Sequence, residues 1–230
     1  MKVLENLLGI LCAFCVMVIL LITSVEAVAY WIPGYYEREY TKYQVTEDVH
    51  MEMEDLLEVT EEMMAFLRGE REDLHVPTIV DGQPREFFNE REIAHMEDVQ
   101  GLFLGGLTLR RICLVLAASC ILALIFLKRD LKQVLPKTMC LGTGLFFLIT
   151  AGLGLIISTN FTKYFTIFHK IFFTNDLWIL DPRTDLLINI VPEPFFVDTA
   201  LYIAIIFSVS VLALFFFCLW YLRQQKRKSA

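Results

Sequence analysis

Four long apolar runs alternate with polar stretches along the chain. About 20 apolar residues in a helix cross the hydrocarbon core of a bilayer. Residues 7–31 form the first run, interrupted only near its end by Ser24 and Glu26. Residues 112–127 form the second, its apolar character reaching upstream through 101–109; residues 139–158 and 199–222 form the third and fourth. The pattern predicts an all-α polytopic membrane protein: four transmembrane helices capped by a small, mainly helical extracellular domain. The boundaries read as a first transmembrane helix at 1–31, an acidic extracellular segment at 32–104, a second helix at 105–127 and a basic cytoplasmic loop at 128–138. A third helix at 139–159, an aromatic interfacial segment at 160–198, a fourth helix at 199–222 and a basic tail at 223–230 complete the reading. The first run is too long for a cleaved signal and Glu26 spoils a cleavage region, so it reads as a retained anchor.

The polar stretches carry shorter patterns. Val49, Met53, Leu56, Leu57, Met63 and Leu67 recur at helical spacing, which predicts one amphipathic helix over 46–68, stopped by Gly69. Residues 75–81 look β-like and end at the Asp81-Gly82 turn signal. Asn89 has the form of an N-cap with Glu92 three residues on, opening a helix that continues into the second span. In 160–198, Phe161, Tyr164, Phe165, Phe168, Phe172, Phe173 and Trp178 crowd together, as aromatics do at a membrane–water interface. Asp181-Pro182 reads as a cap followed by Pro at the first position of a helix.

Charge orients the spans. Lys128, Arg129, Lys132 and Lys137 lie between spans two and three, and Arg223, Lys226, Arg227 and Lys228 follow span four. Both segments are basic and read as cytoplasmic, which places both termini inside. Segment 32–104 holds 19 acidic against 6 basic residues, and 160–198 holds 5 against 3, so both read as outside. Arg110 and Arg111 break the pattern at the outer end of span two. They read either as snorkelling side chains or as a cationic site for lipid phosphate or a developing negative charge. Composition agrees with a membrane chain: 56% of residues are hydrophobic and 19 are Phe. All six cysteines (12, 15, 113, 120, 140 and 218) fall in apolar runs. A disulfide-stapled outer domain and a CxxC zinc site are thereby excluded.

The four histidines, His50, His75, His95 and His169, all fall in the outer segments. His95 stands just above span two and His169 just after span three, so both can face one water–lipid boundary. Glu92 and Asp98 lie three residues either side of His95 on the same helix face and are candidates to orient it. The chain has no G-x-S-x-G, P-loop or H-E-x-x-H motif. No serine lies between Trp31 and Leu104, or between Asn160 and Asp198, so a serine nucleophile is not expected. His50-Met51 with Met53, and His95-Met96, mix soft ligands with imidazole. The methionines at 51 and 53 also serve the apolar stripe, and no metal site is expected.

Two stretches resemble signatures of the lipoprotein intramolecular transacylases, the Lit family. One is Arg91-Glu92-Ile93-Ala94-His95-Met96-Glu97-Asp98-Val99. The other is Phe168-His169-Lys170-Ile171-Phe172-Phe173 with Asn175, Trp178, Leu180-Asp181-Pro182, Thr184-Asp185 and Pro192-Glu193. The resemblance implies an acyltransferase of the bacterial, mainly Gram-positive, cell membrane, with its active site at the outer face. Its substrate would be a membrane-anchored lipoprotein whose N-terminal cysteine carries a diacylglyceryl group. The sn-2 acyl chain would move to the cysteine α-amino group and leave a lyso-form lipoprotein. By motif position, His95 and His169 would be catalytic. An ester-to-amide shift is downhill, so no cofactor is expected; membrane lipid is the other expected partner, and nucleic acid is not one. Arg91, Asn175, Trp178 and Arg183, or backbone N–H groups at a helix start near Asp181-Pro182, are candidates to bind substrate or stabilise an oxyanion. The competing classes are a non-enzymatic membrane sensor or lipid-binding protein and a metal-responsive membrane protein.

Overall fold

The computed structural model describes residues 2–229. The first residue of 1–31 and the last of 223–230 lie outside the described residues. Nine α-helices and two strands follow in chain order among the described residues: α1 (Lys2–Glu26), α2 (Tyr35–Lys42), α3 (Val45–Val49), α4 (Met53–Leu67), β1 (Pro77–Val80), β2 (Gln83–Glu86), α5 (Glu90–Phe126), α6 (Leu131–Ser158), α7 (Phe161–Phe172), α8 (Leu187–Ile190) and α9 (Glu193–Ser229). A π-helical turn, Ala27–Trp31, continues α1. Four helices are long and apolar enough to cross a membrane: Lys2–Trp31, Glu90–Phe126, Leu131–Ser158 and Glu193–Arg227.

Each of these helices is longer than the hydrocarbon core needs. A helix of 37 residues reaches roughly 55 Å, against a hydrocarbon core of about 30 Å. The first turns of α5 carry Glu90, Arg91, Glu92, Glu97 and Asp98, so the crossing part is the apolar remainder. Likewise α6 takes in residues 131–138 of the segment read as a basic loop. Its start is capped by Asp130, whose side chain accepts from Lys132 N. Pro136 inside α6 lacks the N–H that the Lys132 carbonyl would otherwise accept. Gln225 Nε2 donates to that carbonyl at 3.1 Å and fills the gap.

The chain divides into two compact units. One comprises residues 1–25, 107–159 and 202–230. Its core is built from small and sulfur-bearing side chains, among them Cys12, Ala13, Cys15, Cys113, Ala117 and Cys120, with Met17, Phe207 and Val211 in a second cluster. Small residues let helices approach closely, as transmembrane packing requires. A Cβ on Gly142 would meet the Ala13 Cβ at 2.6 Å, and one on Gly9 would meet Thr138 at 2.6 Å. All six cysteines are free.

The other unit comprises residues 26–106 and 160–201. The helix predicted over 46–68 is broken into α3 and α4. His50 adopts a left-handed φ of 54° and Glu52 is extended. The break turns Met51 into the core, where it is buried, while the His50 carbonyl accepts from Asp81 N at 3.0 Å. Spacing within one helix cannot reveal such a tertiary preference for Met51 over Met53. The β-like run becomes a hairpin, an addition to the all-α reading. Asp81 and Gly82 both have positive φ, 53° and 68°, as the two-residue turn of a hairpin demands. Pro84 sits in β2 opposite Ile79. The closing Val80–Gln83 pair exchanges hydrogen bonds, so its neighbour requires no N–H from Pro84.

Tyr40 and Thr60 join α2 to α4 through their hydroxyls at 2.7 Å. Phe195 at the start of α9 stacks on Tyr36 and Tyr40. The helix expected at Asp181-Pro182 does not form. A turn over 182–184 stands there instead, and the next helix, α8, begins at Leu187. The reason is local: Asp181 Oδ1 accepts from Arg183 N and Nε, while the Asp181 N–H donates to Asp185. Backbone N–H groups of a helix start are therefore not on offer at Asp181.

Candidate active site

Two helix starts build the site. Asn89 opens α5 with a reciprocal cap: its Oδ1 accepts from Arg91 N and Glu92 N at 2.9 and 3.0 Å, and its own N–H donates to Glu92 Oε2 at 2.7 Å. His95 follows in the second turn of this helix. Asn160 opens α7, accepting from Lys163 N at 3.0 Å, and His169 lies on its last turn. Both imidazoles are buried, and their ring centres are 6.2 Å apart.

The walls around the pair are aromatic. Phe173 packs on both imidazoles, at 5.3 Å from His95 and 5.5 Å from His169. Phe165, Phe168 and Trp178 close around His169 at 4.4, 5.5 and 4.9 Å. His169 Nδ1 lies 2.8 Å from the Phe165 carbonyl, one turn back on α7. A carbonyl only accepts, so Nδ1 carries the proton and Nε2 keeps its lone pair. Nδ1 of His95 is buried and has no hydrogen-bond partner among the described residues.

Burial pulls the His95 imidazole from its usual 6.5 down to about 4; nearby His169 and Arg91 act in the same direction and Asp98 against it. Burial also lowers His169, opposed by its bond to the Phe165 carbonyl. Both shifts favour the neutral imidazole at pH 7.

Neither carboxylate expected to orient His95 is bonded to it. Glu92 is fully buried, and its oxygens accept from Asn89 N at 2.7 Å and from Leu187 N at 2.6 Å. It ties the start of α5 to the start of α8. Burial raises its pKa, with the two N–H bonds pulling the other way. Asp98 accepts from Asn175 Nδ2 at 2.8 Å. A third carboxylate, Asp185, completes the knot. It is buried and accepts from Asn89 Nδ2 at 2.9 Å and from the Asp181 N–H at 2.7 Å.

The four groups proposed for substrate or oxyanion binding are already engaged. Arg91 donates to the Asp176 carbonyl, with the Asp176 carboxylate at 3.6 Å. Asn175 donates to Asp98, and Trp178 Nε1 donates to the Asn175 carbonyl at 3.0 Å. These bonds strap residues 175–178 to α5 and hold the Trp178 ring against His169. Arg183 folds back onto Asp181 and is exposed. The structure thus gathers His95, His169, Trp178, Asn175, Asp98 and Arg91 into one neighbourhood. Glu92 goes to a backbone knot and Arg183 to a solvent-facing turn. Phe165 and Phe173 were not singled out for the site from sequence. The signal for Phe165 is its position four residues before a helical histidine; Phe173 has none beyond aromatic density. His50 and His75 are exposed, the one at the α3–α4 break and the other ahead of β1.

A family model described as "Lipoprotein intramolecular transacylase Lit" matches residues 10–196. The chain belongs to the Lit family. It is an acyltransferase of lipoprotein processing and a multi-pass integral membrane protein. The fold is that of Lit from Bacillus cereus. One in meso structure of that protein has a TM-score of 0.82 at 19% identity, covering 99% of this chain and 100% of the other. A histidine-to-arginine variant of the same protein has a TM-score of 0.77 at 21% identity, over 98% and 95% of the two chains. A histidine-to-alanine variant also has a TM-score of 0.77, at 20% identity, over 97% and 96%. No curated protein matches the chain.

Proposed function

We propose that this Lit-family enzyme moves the sn-2 acyl chain of a diacylglyceryl-cysteine lipoprotein to the N-terminal α-amino group, with His95 and His169 as the proton-handling groups. The observation that carries the reading is the burial of two imidazoles 6.2 Å apart among aromatic side chains. We place the site at the outer face of the cell membrane, with both termini in the cytoplasm, on the charge of the connecting segments.

The reaction joins a nucleophile and an electrophile of one substrate molecule, so the enzyme's main contribution is to hold them in attack geometry. The amine attacks the ester carbonyl as the free base, a form that an amine of pKa about 7.7–8.0 partly populates at neutral pH. Once bonded to the carbonyl carbon, the nitrogen becomes strongly acidic and its proton must leave. Nε2 of His169 is the acceptor with a fixed lone pair, because Nδ1 is committed to the Phe165 carbonyl. The departing sn-2 oxygen takes up a proton as the C–O bond breaks, and His95, its ring centre 6.2 Å from that of His169, is the group assigned to relay it. An imidazole of lowered pKa suits this use: it stays unprotonated at rest and gives its proton up readily. Phe165, Phe168, Phe173 and Trp178 would keep water from the ester, since hydrolysis is the competing outcome.

The test is mass spectrometry of lipoprotein N-termini after reaction with purified enzyme. Isotope-labelled and unlabelled lipoproteins are mixed without ATP or acyl donor. N-acylated lyso product with no crossover of label is the expected result. Free fatty acid in place of N-acyl product, or label crossover, would overturn the reading.

A further inference from the structure

We propose that a groove at the Lys-rich end of the first unit binds an anionic glycerophospholipid. The groove has a volume of about 520 Å³ and is lined by Asn6 and Ile10 of α1 with Lys137, Thr138, Cys140 and Leu141 of α6. Beside it the two helices pack closely, because Gly9 lets Thr138 approach and Gly142 lets Ala13 approach. Thr138 spends its hydroxyl on the carbonyls of Val134 and Leu135. The Asn6 amide and the Lys137 ammonium are the polar groups left to meet a ligand, for neither has a hydrogen-bond partner among the described residues.

Charge decides the class of occupant. This unit contains only two acidic residues, Glu5 and Asp130. Glu5 is paired with Arg129 at 3.4 Å and Asp130 caps α6. Lys132 and Lys137 have no acidic partner among the described residues, and the tail adds Arg223, Lys226 and Arg227. An uncompensated cation beside an apolar trough matches a phosphate headgroup attached to an acyl chain. In this arrangement the phosphate meets Lys137 and Asn6, and the chain lies along Ile10 and Leu141. The exposed Ile10 and Leu141 then gain an apolar neighbour.

The experiment uses full-length protein in detergent and native mass spectrometry. Phosphatidylglycerol and phosphatidylcholine of identical acyl chains compete in equal amounts. The parent should retain phosphatidylglycerol in preference by roughly fivefold, the effect of one lysine close to an anionic headgroup. Lys137→Glu should bring the ratio to about unity, while Lys132→Glu, the same charge change outside the lining, should leave the preference in place. Leu141→Trp, which fills the trough, should lower retention of both lipids. Equal retention of the two lipids by the parent would overturn the proposal. So would equal effects of the two Lys→Glu changes, which mark a diffuse field instead of a site. Glycerol phosphate binding as tightly as the lipid would show an anion site with no use for the chain, and would also sink it.

Discussion

The imidazoles of His95 on α5 and His169 on α7 lie 6.2 Å apart, although 73 positions separate them in the chain. Phe173 packs on both rings and joins them into one aromatic cluster. The first prediction concerns this pair. His95→Ala and His169→Ala should each lower the transacylation rate by roughly 100- to 10,000-fold, the usual loss for a general acid–base group. His50→Ala and His75→Ala should change it little. The readout is N-acylated product by mass spectrometry. Full activity in both His95→Ala and His169→Ala would remove the mechanism.

The pH profile follows from the lowered imidazoles. Burial holds both below the usual 6.5, His95 at about 4, which favours the deprotonated rings at neutral pH. The rate at saturating substrate should therefore show no step near 6.5. It should rise toward pH 8 as the substrate amine loses its proton. Stability has a related sign. The unfolded chain protonates these histidines near 6.5 and the folded chain resists, so stability is full above 6.5 and declines as the pH falls toward 4. An inflection near 6.5 in the rate, lost in His169→Ala, would show that burial does not control the pair.

Glu92 should prove to be a stability residue. Glu92→Ala would leave the buried N–H of Leu187 without its acceptor, at a cost of about 1–3 kcal/mol. The melting temperature should drop by several degrees, and Glu92→Gln, which keeps one acceptor oxygen, should fall between. Circular dichroism melts in detergent would show it. An unchanged melt with lost activity would return Glu92 to the catalytic machinery.

The α1–α6 approach can be tested in isolation. Gly142→Val places carbon where Ala13 already stands, and overpacking of this kind costs about 1–3 kcal/mol. Gly142→Ala should be milder and should be rescued by Ala13→Gly, which removes the opposing Cβ. Additive losses in that double variant would show that the two residues do not meet.

Topology is open to labelling. Single cysteines at Asp81 and at Arg183, both exposed, should react with a membrane-impermeant thiol reagent in intact cells. One at Arg227 should not. The native cysteines add little background, since five are buried and Cys140 is half-buried. Labelling at Arg227 without labelling at Asp81 would invert the orientation.

By itself the sequence determined the four apolar helices and the cap of α5, because each depends on residues within one stretch of chain. Apolar length sets a span whatever packs beside it, and Asn89 with Glu92 closes its bonds over three residues. The Asp81-Gly82 turn was legible for the same reason, though not the strand after it. What tertiary structure decided is everything that depends on distant groups. Continuous periodicity pointed to one helix over 46–68, but burying Met51 and bonding Asp81 to the His50 carbonyl broke it. Spacing of three set Glu92 and Asp98 beside His95, yet the Leu187 N–H claimed one carboxylate and Asn175 the other. A helical neighbour is only a possible partner. A buried carboxylate goes where the unsatisfied donors are, and those donors arrive from remote parts of the chain.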